Sequence, residues 1–321
     1  MKFLLFSILM ATSFAVGALD FPVPGKPIRI LVGFPPGGGT DIQARQVAQQ
    51  LTQVLGGVPV IVENRPGAGT LLAANEISKA IPDGHSLLYT PASTLAQLPH
   101  TLLAVKYDTS KDFTPIAQGA LGPLVLVVHK SIQVNNVAEL VAFARAHPGK
   151  LNYVSQGVGT TAHIYGQMLA RQAGIDIVHV PYKGANDVAK DFIAGRVHLQ
   201  FASSSAAVAL AKSGELRLLA VVAPQRSSLF PDLATMTEQG IKGIDIDSWI
   251  GFVGPAGMAP ATVSRLSEAL AQILKSQGIQ DAFRAGGVEA KWAGPEEFAA
   301  IIRGSYRQWG QTLGQLGYKK E

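Results

Sequence analysis

Two stretches of this chain repeat one local plan: an apolar run, a glycine-rich turn, and a helix that opens on threonine. In the first, Pro27-Ile28-Arg29-Ile30-Leu31-Val32-Gly33-Phe34 reads as a buried strand and Pro35-Pro36-Gly37-Gly38-Gly39 breaks it. Thr40 or Asp41 then caps a helix whose apolar positions 44, 47, 48, 51, 54 and 55 share one face. In the second, residues 151–155 form the strand and Gln156-Gly157-Val158-Gly159 the turn. Thr160 or Thr161 opens the helix, with apolar positions 164, 165, 168 and 169. Strands are also expected at 58–63, 86–90, 113–118, 124–129, 177–181, 198–202, 216–223 and 248–253, with helices starting after 70 and spanning 185–194, 206–212, 261–276 and 295–316. Strands alternating with helices imply sheets covered on both faces. That many strands fit two mainly parallel five-stranded sheets better than one.

Each series starts with its own glycine-rich turn, so each is expected to build its own lobe of an α/β fold. The chain crosses near Ala120-Leu121-Gly122-Pro123 and returns near 243–247. The expected first lobe is 19–122 plus 247–321, and the second is 123–246. Two adjacent crossings make a two-segment hinge, the geometry of domain closure around a ligand held in the cleft.

Composition narrows the function. The chain has 321 residues, 47% of them apolar and 15% charged, enough for sizeable cores and too apolar for a disordered chain. Its 27 Lys+Arg against 22 Asp+Glu give a net +5, but the basic residues are scattered singly, without the clustered patch of a nucleic-acid binder. With no cysteine, thiolate nucleophiles, disulfides and Cys-based metal centres are excluded. Residues 1–18 (MKFLLFSILMATSFAVGA) have a lysine, then an uncharged apolar run too short to span a bilayer, then small residues at a cleavage site. They read as a secretory signal peptide, and the expected compartment is the periplasm.

The two turns do not read as nucleotide sites. Gly33 to Thr40 nearly spells a P-loop, but Gly39 stands where the lysine belongs. Gly157-Val158-Gly159-Thr160-Thr161-Ala162 matches a dinucleotide fingerprint, but the acidic residue expected after the next strand is replaced by Pro181-Tyr182-Lys183. Both turns do suit anion capture. A helix N-terminus presents four unpaired N–H groups and a partial positive charge, glycine lets a ligand come close, and the hydroxyls of Thr40, Thr160 and Thr161 can add donors. Four or five such bonds at roughly 1.5–3 kcal/mol each, less the ordering cost, leave about −8 kcal/mol, near micromolar affinity.

Other candidates carry two readings each. His163 packs and caps, or donates to ligand or water. Asp41 is a helix-start residue rather than a general base, and Arg45 braces the loop. Tyr182-Lys183 ends a strand on the cleft side. Ser203 caps a helix or touches ligand. Trp249, Trp292 and Trp309 read as core or hinge packing. There is no G-x-S-x-G elbow and no H-E-x-x-H, and no spacing pairs His163, His179 and His198 as metal ligands.

These residues carry a resemblance over nearly the whole expected mature chain. Lys26-Pro27-Ile28-Arg29-Ile30 with GFPPGGGTD (33–41), ENRPGAG (63–69), PDGHSLLYTPAS (82–93), HPGKLNYVSQGVGTTAH (147–163), HVPYKGA (179–185), FIAGRVHLQF (192–201) and SWIGFVGPAG (248–257) stand in order. The sequence resembles the substrate-binding proteins of tripartite tricarboxylate transporters, the Bug-type periplasmic receptors. The resemblance implies a two-lobed periplasmic binding protein of the type II-like class: not an enzyme, without cofactor or metal, monomeric, closing on a small carboxylate and delivering it to permease subunits in the membrane. The implied ligand contacts are Phe34, Gly37, Gly38, Gly39, Thr40, Asp41, Ser93, Ser155, Gly157, Gly159, Thr160, Thr161, His163, Tyr182, Lys183, Ala202 and Ser203. Two departures stand out. The family often has an acidic residue after the strand that here runs into Ala202-Ser203, and a Glu where Gln167 stands. Loss of that anchor points to a ligand without an amine. Alternatives are an exported NAD(P)-dependent oxidoreductase using the Gly157 turn, and an accessory protein presenting its ligand to a membrane sensor kinase.

Overall fold

Ile28, Ile30, Leu31 and Val32 have no exposed surface, because both faces of the strand they form are covered. This is seen in a computed structural model that describes residues 21–182, 185–246 and 248–321, without the side chains of 185–187. The expected leader 1–18, Lys183 and the boundary residue Asp247 lie outside the described residues.

In chain order the strands are β1 (Ile28–Val32), β2 (Val60–Asn64), β3 (Ser86–Pro91), β4 (Phe113–Leu121), β5 (Leu124–His129), β6 (Leu151–Ser155), β7 (Ile177–Pro181), β8 (Leu199–Ser203), β9 (Leu216–Val222), β10 (Trp249–Pro255) and β11 (Glu289–Ala293). The helices are α1 (Gly39–Val54), α2 (Leu71–Ile77), α3 (Leu98–Thr101), α4 (Val137–Ala146), α5 (Thr161–Ala173), α6 (Ala185–Ile193), α7 (Ser204–Ala211), α8 (Pro260–Leu274), α9 (Gln277–Ala285) and α10 (Pro295–Leu316). A π-helical turn, Ser93–Gln97, runs into α3.

There are two sheets, ordered β11-β4-β10-β3-β1-β2 and β7-β6-β8-β5-β9. The chain passes from one to the other between Leu121 and Leu124. Both sheets are mixed rather than mainly parallel, and the first has six strands, not five. The β1–β2, β1–β3, β6–β7 and β6–β8 pairs are parallel, as strand–helix–strand units require. The strands next to the crossings insert antiparallel: β10 against β3 and β4, and β5 against β8 and β9. The extra strand, β11, is a five-residue edge strand carrying Lys291, so its pattern is too short and polar to read as a strand. The helix α4 is also absent from the sequence expectations, although Asn136 is its N-cap and accepts from the Glu139 N–H at 2.8 Å, a capping-box arrangement.

Alternating residues of each central strand feed cores on opposite faces. Ile28, Ile30 and Val32 pack with α1, α8 and α9, while Leu31 packs with α2 and the first half of α10. Leu126 and Val128 pack with α4 and α5, and Val125 and Val127 with α6 and α7. The 22 residues of α10 extend about 33 Å, and the helix serves both halves. Its Phe298 and Ile302 join the first sheet's core, whereas Trp309 and Leu313 are buried in the second's. Of the C-terminal helices, α8 and α9 pack on the first sheet alone, and α9 is absent from the sequence expectations.

Candidate functional site

The first glycine-rich turn is fixed from below. A Cβ on Gly33 would come within 2.6 Å of the Thr70 Cβ, so only glycine fits where β1 leaves the sheet. Gly37 turns the chain with φ +80, and Gly38, not Thr40 or Asp41, is the N-cap of α1. Having no side chain, Gly38 caps nothing and leaves the first-turn N–H groups open to a ligand. Asp41 lies inside the first turn, only 2% exposed, and reaches back to accept the Gly37 N–H at 2.9 Å. It also accepts from Asn64 Nδ2 at 2.8 Å and from Arg45 Nε at 3.0 Å. Burial pushes the Asp41 carboxyl up, but these donors outweigh it and hold the group below the usual carboxylate range. Asp41 therefore stays ionised and braces the loop, as Arg45 does.

The second turn is braced by neutral groups. Gly157 and Gly159 have φ +127 and +74, which glycine tolerates. Thr160 is the N-cap of α5, as its sequence suggests. Ser155 Oγ donates to the Gly157 carbonyl at 2.8 Å and lies 2.7 Å from His179 Nε2, so His179 carries its proton there. The Gly159 N–H donates to His163 Nδ1 at 3.0 Å. A neutral His163 then holds its proton on Nε2, which lies 3.1 Å from Gln167 Nε2. The rings of Tyr153, His179 and His163 stack at centroid distances of 4.9 and 4.1 Å. Burial, and secondarily the neighbouring His163, pushes His179 down to about 4. Burial also lowers His163. Both rings are uncharged at neutral pH.

This stack sets an acid limit. Unfolded His179 takes up a proton near pH 6.5, whereas the folded ring resists until about pH 4. The unfolded state thus binds more protons between those values, and stability falls as pH drops through that window. We expect the melting temperature of the parent protein to fall more steeply between pH 6.5 and 4 than that of His179→Gln; parallel curves would refute the assignment.

The two turns lie on the boundary between the halves. A Cβ on Gly39 would sit 2.9 Å from the Ser205 Cβ and 3.0 Å from its Oγ, so the N-termini of α1 and α7 face each other. Gly69, in the turn after β2, would come 3.8 Å from Thr160 Cγ2. Gly159 would meet Leu102 at 2.9 Å and Thr101 at 3.4 Å. The N-termini of α1 and α7 thus face each other with like partial charge, an arrangement that an anion relieves, while that of α5 lies against Gly69, Thr101 and Leu102.

The other sequence candidates are placed as follows. Phe34 is half-buried against the α1 core, and Ser93 begins the π-helical turn. The Tyr182 hydroxyl donates to Asp191 at 2.7 Å, and its backbone N–H to the Ser155 carbonyl at 2.9 Å. Ala202 is 1% exposed and packs with Val125, Val127, Val154 and Ala207. Ser203 is the exposed N-cap of α7, accepting the Ala206 N–H at 3.3 Å. One expectation changes: the Thr160 hydroxyl donates to the Gly157 carbonyl at 2.7 Å and the Thr161 hydroxyl to Gln97, so neither proton is available to a ligand. Sequence reasoning missed Gln97, Ser205, Gly69 and Leu102. Gln97 stands in a buried stretch, and no local pattern marks a polar side chain that works across a boundary between distant segments.

Comparison with known proteins follows the same lines. A family profile, that of the tripartite tricarboxylate transporter family receptor, matches residues 43–318. Protein BugT of Bordetella pertussis is 30% identical over 297 residues, covering 92% of this chain and 91% of BugT. The solved periplasmic binding protein BugD superposes with a TM-score of 0.84 at 28% identity, over 93% of this chain and 100% of that one. An R. palustris protein solved with adipate superposes with a TM-score of 0.86 at 29% identity, over 93% and 99%.

Proposed function

The chain belongs to the tripartite tricarboxylate transporter family of receptors, binding proteins rather than enzymes, and on that premise we propose that it captures a small carboxylate between its two lobes in the periplasm and delivers it to membrane permease subunits. One observation carries the reading. Gly39 and Gly159, in the two turns, each touch the opposite half of the molecule, and the side chains bracing them are neutral or already paired. Backbone N–H groups of the two turns, other than those of Gly37, Gly157, Gly159 and Thr160 that already donate within the turns, then grip the carboxylate, with Asp41 and His163 holding the turns in shape. The lobes are 19–122 plus 247–321 and 123–246, closing about the two crossings. A cleaved leader at 1–18 exports the protein, which acts as a monomer.

The ligand we propose has no amine. Ala202 is apolar and buried, so it offers no carboxylate to an ammonium group, and the related R. palustris protein was solved with adipate. A thermal-shift panel of mono-, di- and tricarboxylates with aspartate and glutamate tests this. Native-state binding raises stability by about 2.7 kcal/mol at 100 times Kd. We expect amine-free acids to raise the melting temperature and the amino acids not to. A larger shift with glutamate would refute the ligand class, and no shift with any acid would refute capture itself.

A further inference from the structure

We propose that Gln97 is the latch that keeps the two lobes shut and positions the second ligand turn, a role that rests on the closing receptor described above. Gln97 has no exposed surface and ends the π-helical turn of the first half. Its amide is spent wholly on the other half: Nε2 donates to the Gly159 carbonyl at 2.6 Å, and Oε1 accepts from the Thr161 hydroxyl. Both partners belong to the turn at the N-terminus of α5.

The base of the latch is rigid. Thr94 Oγ1 accepts from the Thr90 hydroxyl at 2.6 Å and lies 2.5 Å from Thr70 Oγ1. The Tyr107 hydroxyl donates to the Thr94 carbonyl, and Thr109 Oγ1 to the Leu95 carbonyl at 2.7 Å. Thr70 itself holds φ +90, a strained value for a β-branched residue, against Gly33 at the root of the first turn. A continuous chain of contacts therefore links the root of one ligand turn to the tip of the other.

Gln97 has two effects. Its pair of hydrogen bonds exists only when the halves are together, so it opposes opening. It also occupies the Gly159 carbonyl, an acceptor that would repel a bound carboxylate at the mouth of the site.

The test uses the full mature chain with adipate as probe. Gln97→Ala is expected to weaken binding roughly 10- to 100-fold, through faster dissociation with association nearly unchanged. Gln97→Glu should bind weakly at pH 8 and recover toward the parent, measured at the same pH, as it approaches pH 5. There the protonated carboxyl can again donate to Gly159; His163, which faces the Gly159 N–H, and Glu321, paired through its backbone with Thr101 and Leu103, are present in both proteins. The cysteine-free chain also allows spin labels at Lys79→Cys and Lys150→Cys, both exposed. Gln97→Ala should lose the short inter-label distance that the ligand-free parent populates. Dissociation within twofold of the parent, or an unchanged distance distribution, would overturn the latch. If the parent itself ignores adipate, the ligand class fails and the ligand-free distances alone decide the latch.

Discussion

Gly39→Val is expected to fold and melt close to the parent protein yet lose roughly 100-fold in ligand affinity, equivalent to about 3 kcal/mol. The separation of the two effects follows from where the added atoms go. Gly39 is the first residue of α1, outside the positive-φ region, and the nearest atoms a Cβ there would meet are those of Ser205 at 2.9 and 3.0 Å and the flexible end of Gln43 at 3.8 Å. Ser205 belongs to the other half of the molecule. The clash is therefore absent when the halves part and full when they close, and overpacking of this kind costs about 1–3 kcal/mol or more. Calorimetric titration with adipate beside a ligand-free melting curve reads both quantities. An affinity within threefold of the parent would show that the bound form does not bring α1 against α7. Gly159 is a less clean probe, because its φ of +74 would strain the turn itself in either state.

Trp309→Ala should produce the largest loss of stability, about 3–5 kcal/mol, the usual cost of emptying a tryptophan site. Trp309 is 2% exposed and stacks on Tyr165 at 5.6 Å and 25°. It belongs to the core of the second sheet although its helix begins in the core of the first. Two turns on, Arg171 Nη1 donates to the Leu316 carbonyl at 3.0 Å, and the last residue pairs through its backbone with Thr101 and Leu103. Urea unfolding checks the size of the effect. Trp309→Phe, which keeps a ring on Tyr165, should retain most of the stability. A loss under 1 kcal/mol in the alanine variant would show that α10 merely lies on the second half.

The glycine turns were legible because their physics is local. A strand, a break and a threonine at a helix start are adjacent in the chain, and Thr160 is the cap its position suggests. What escaped is set by contacts between distant segments. The Thr161 hydroxyl is claimed by Gln97, 64 positions away, and Ser205 is where Gly39 needs room. The cap of α1 was misplaced because Asp41 works backward onto Gly37 from inside the helix. Trp309 reads as a core residue, but nothing in the surrounding sequence says which core.

Among the described residues, the cations nearest the first turn, Arg45 and Arg65, are already matched by Asp41, Glu63 and Glu76. The grip on an acid by the two turns is thus short-sighted, because peptide dipoles act within a turn of helix. Encounter with cargo runs at the pace of plain diffusion, and ionic strength leaves the hold almost untouched, unlike that of a receptor baited with exposed arginines.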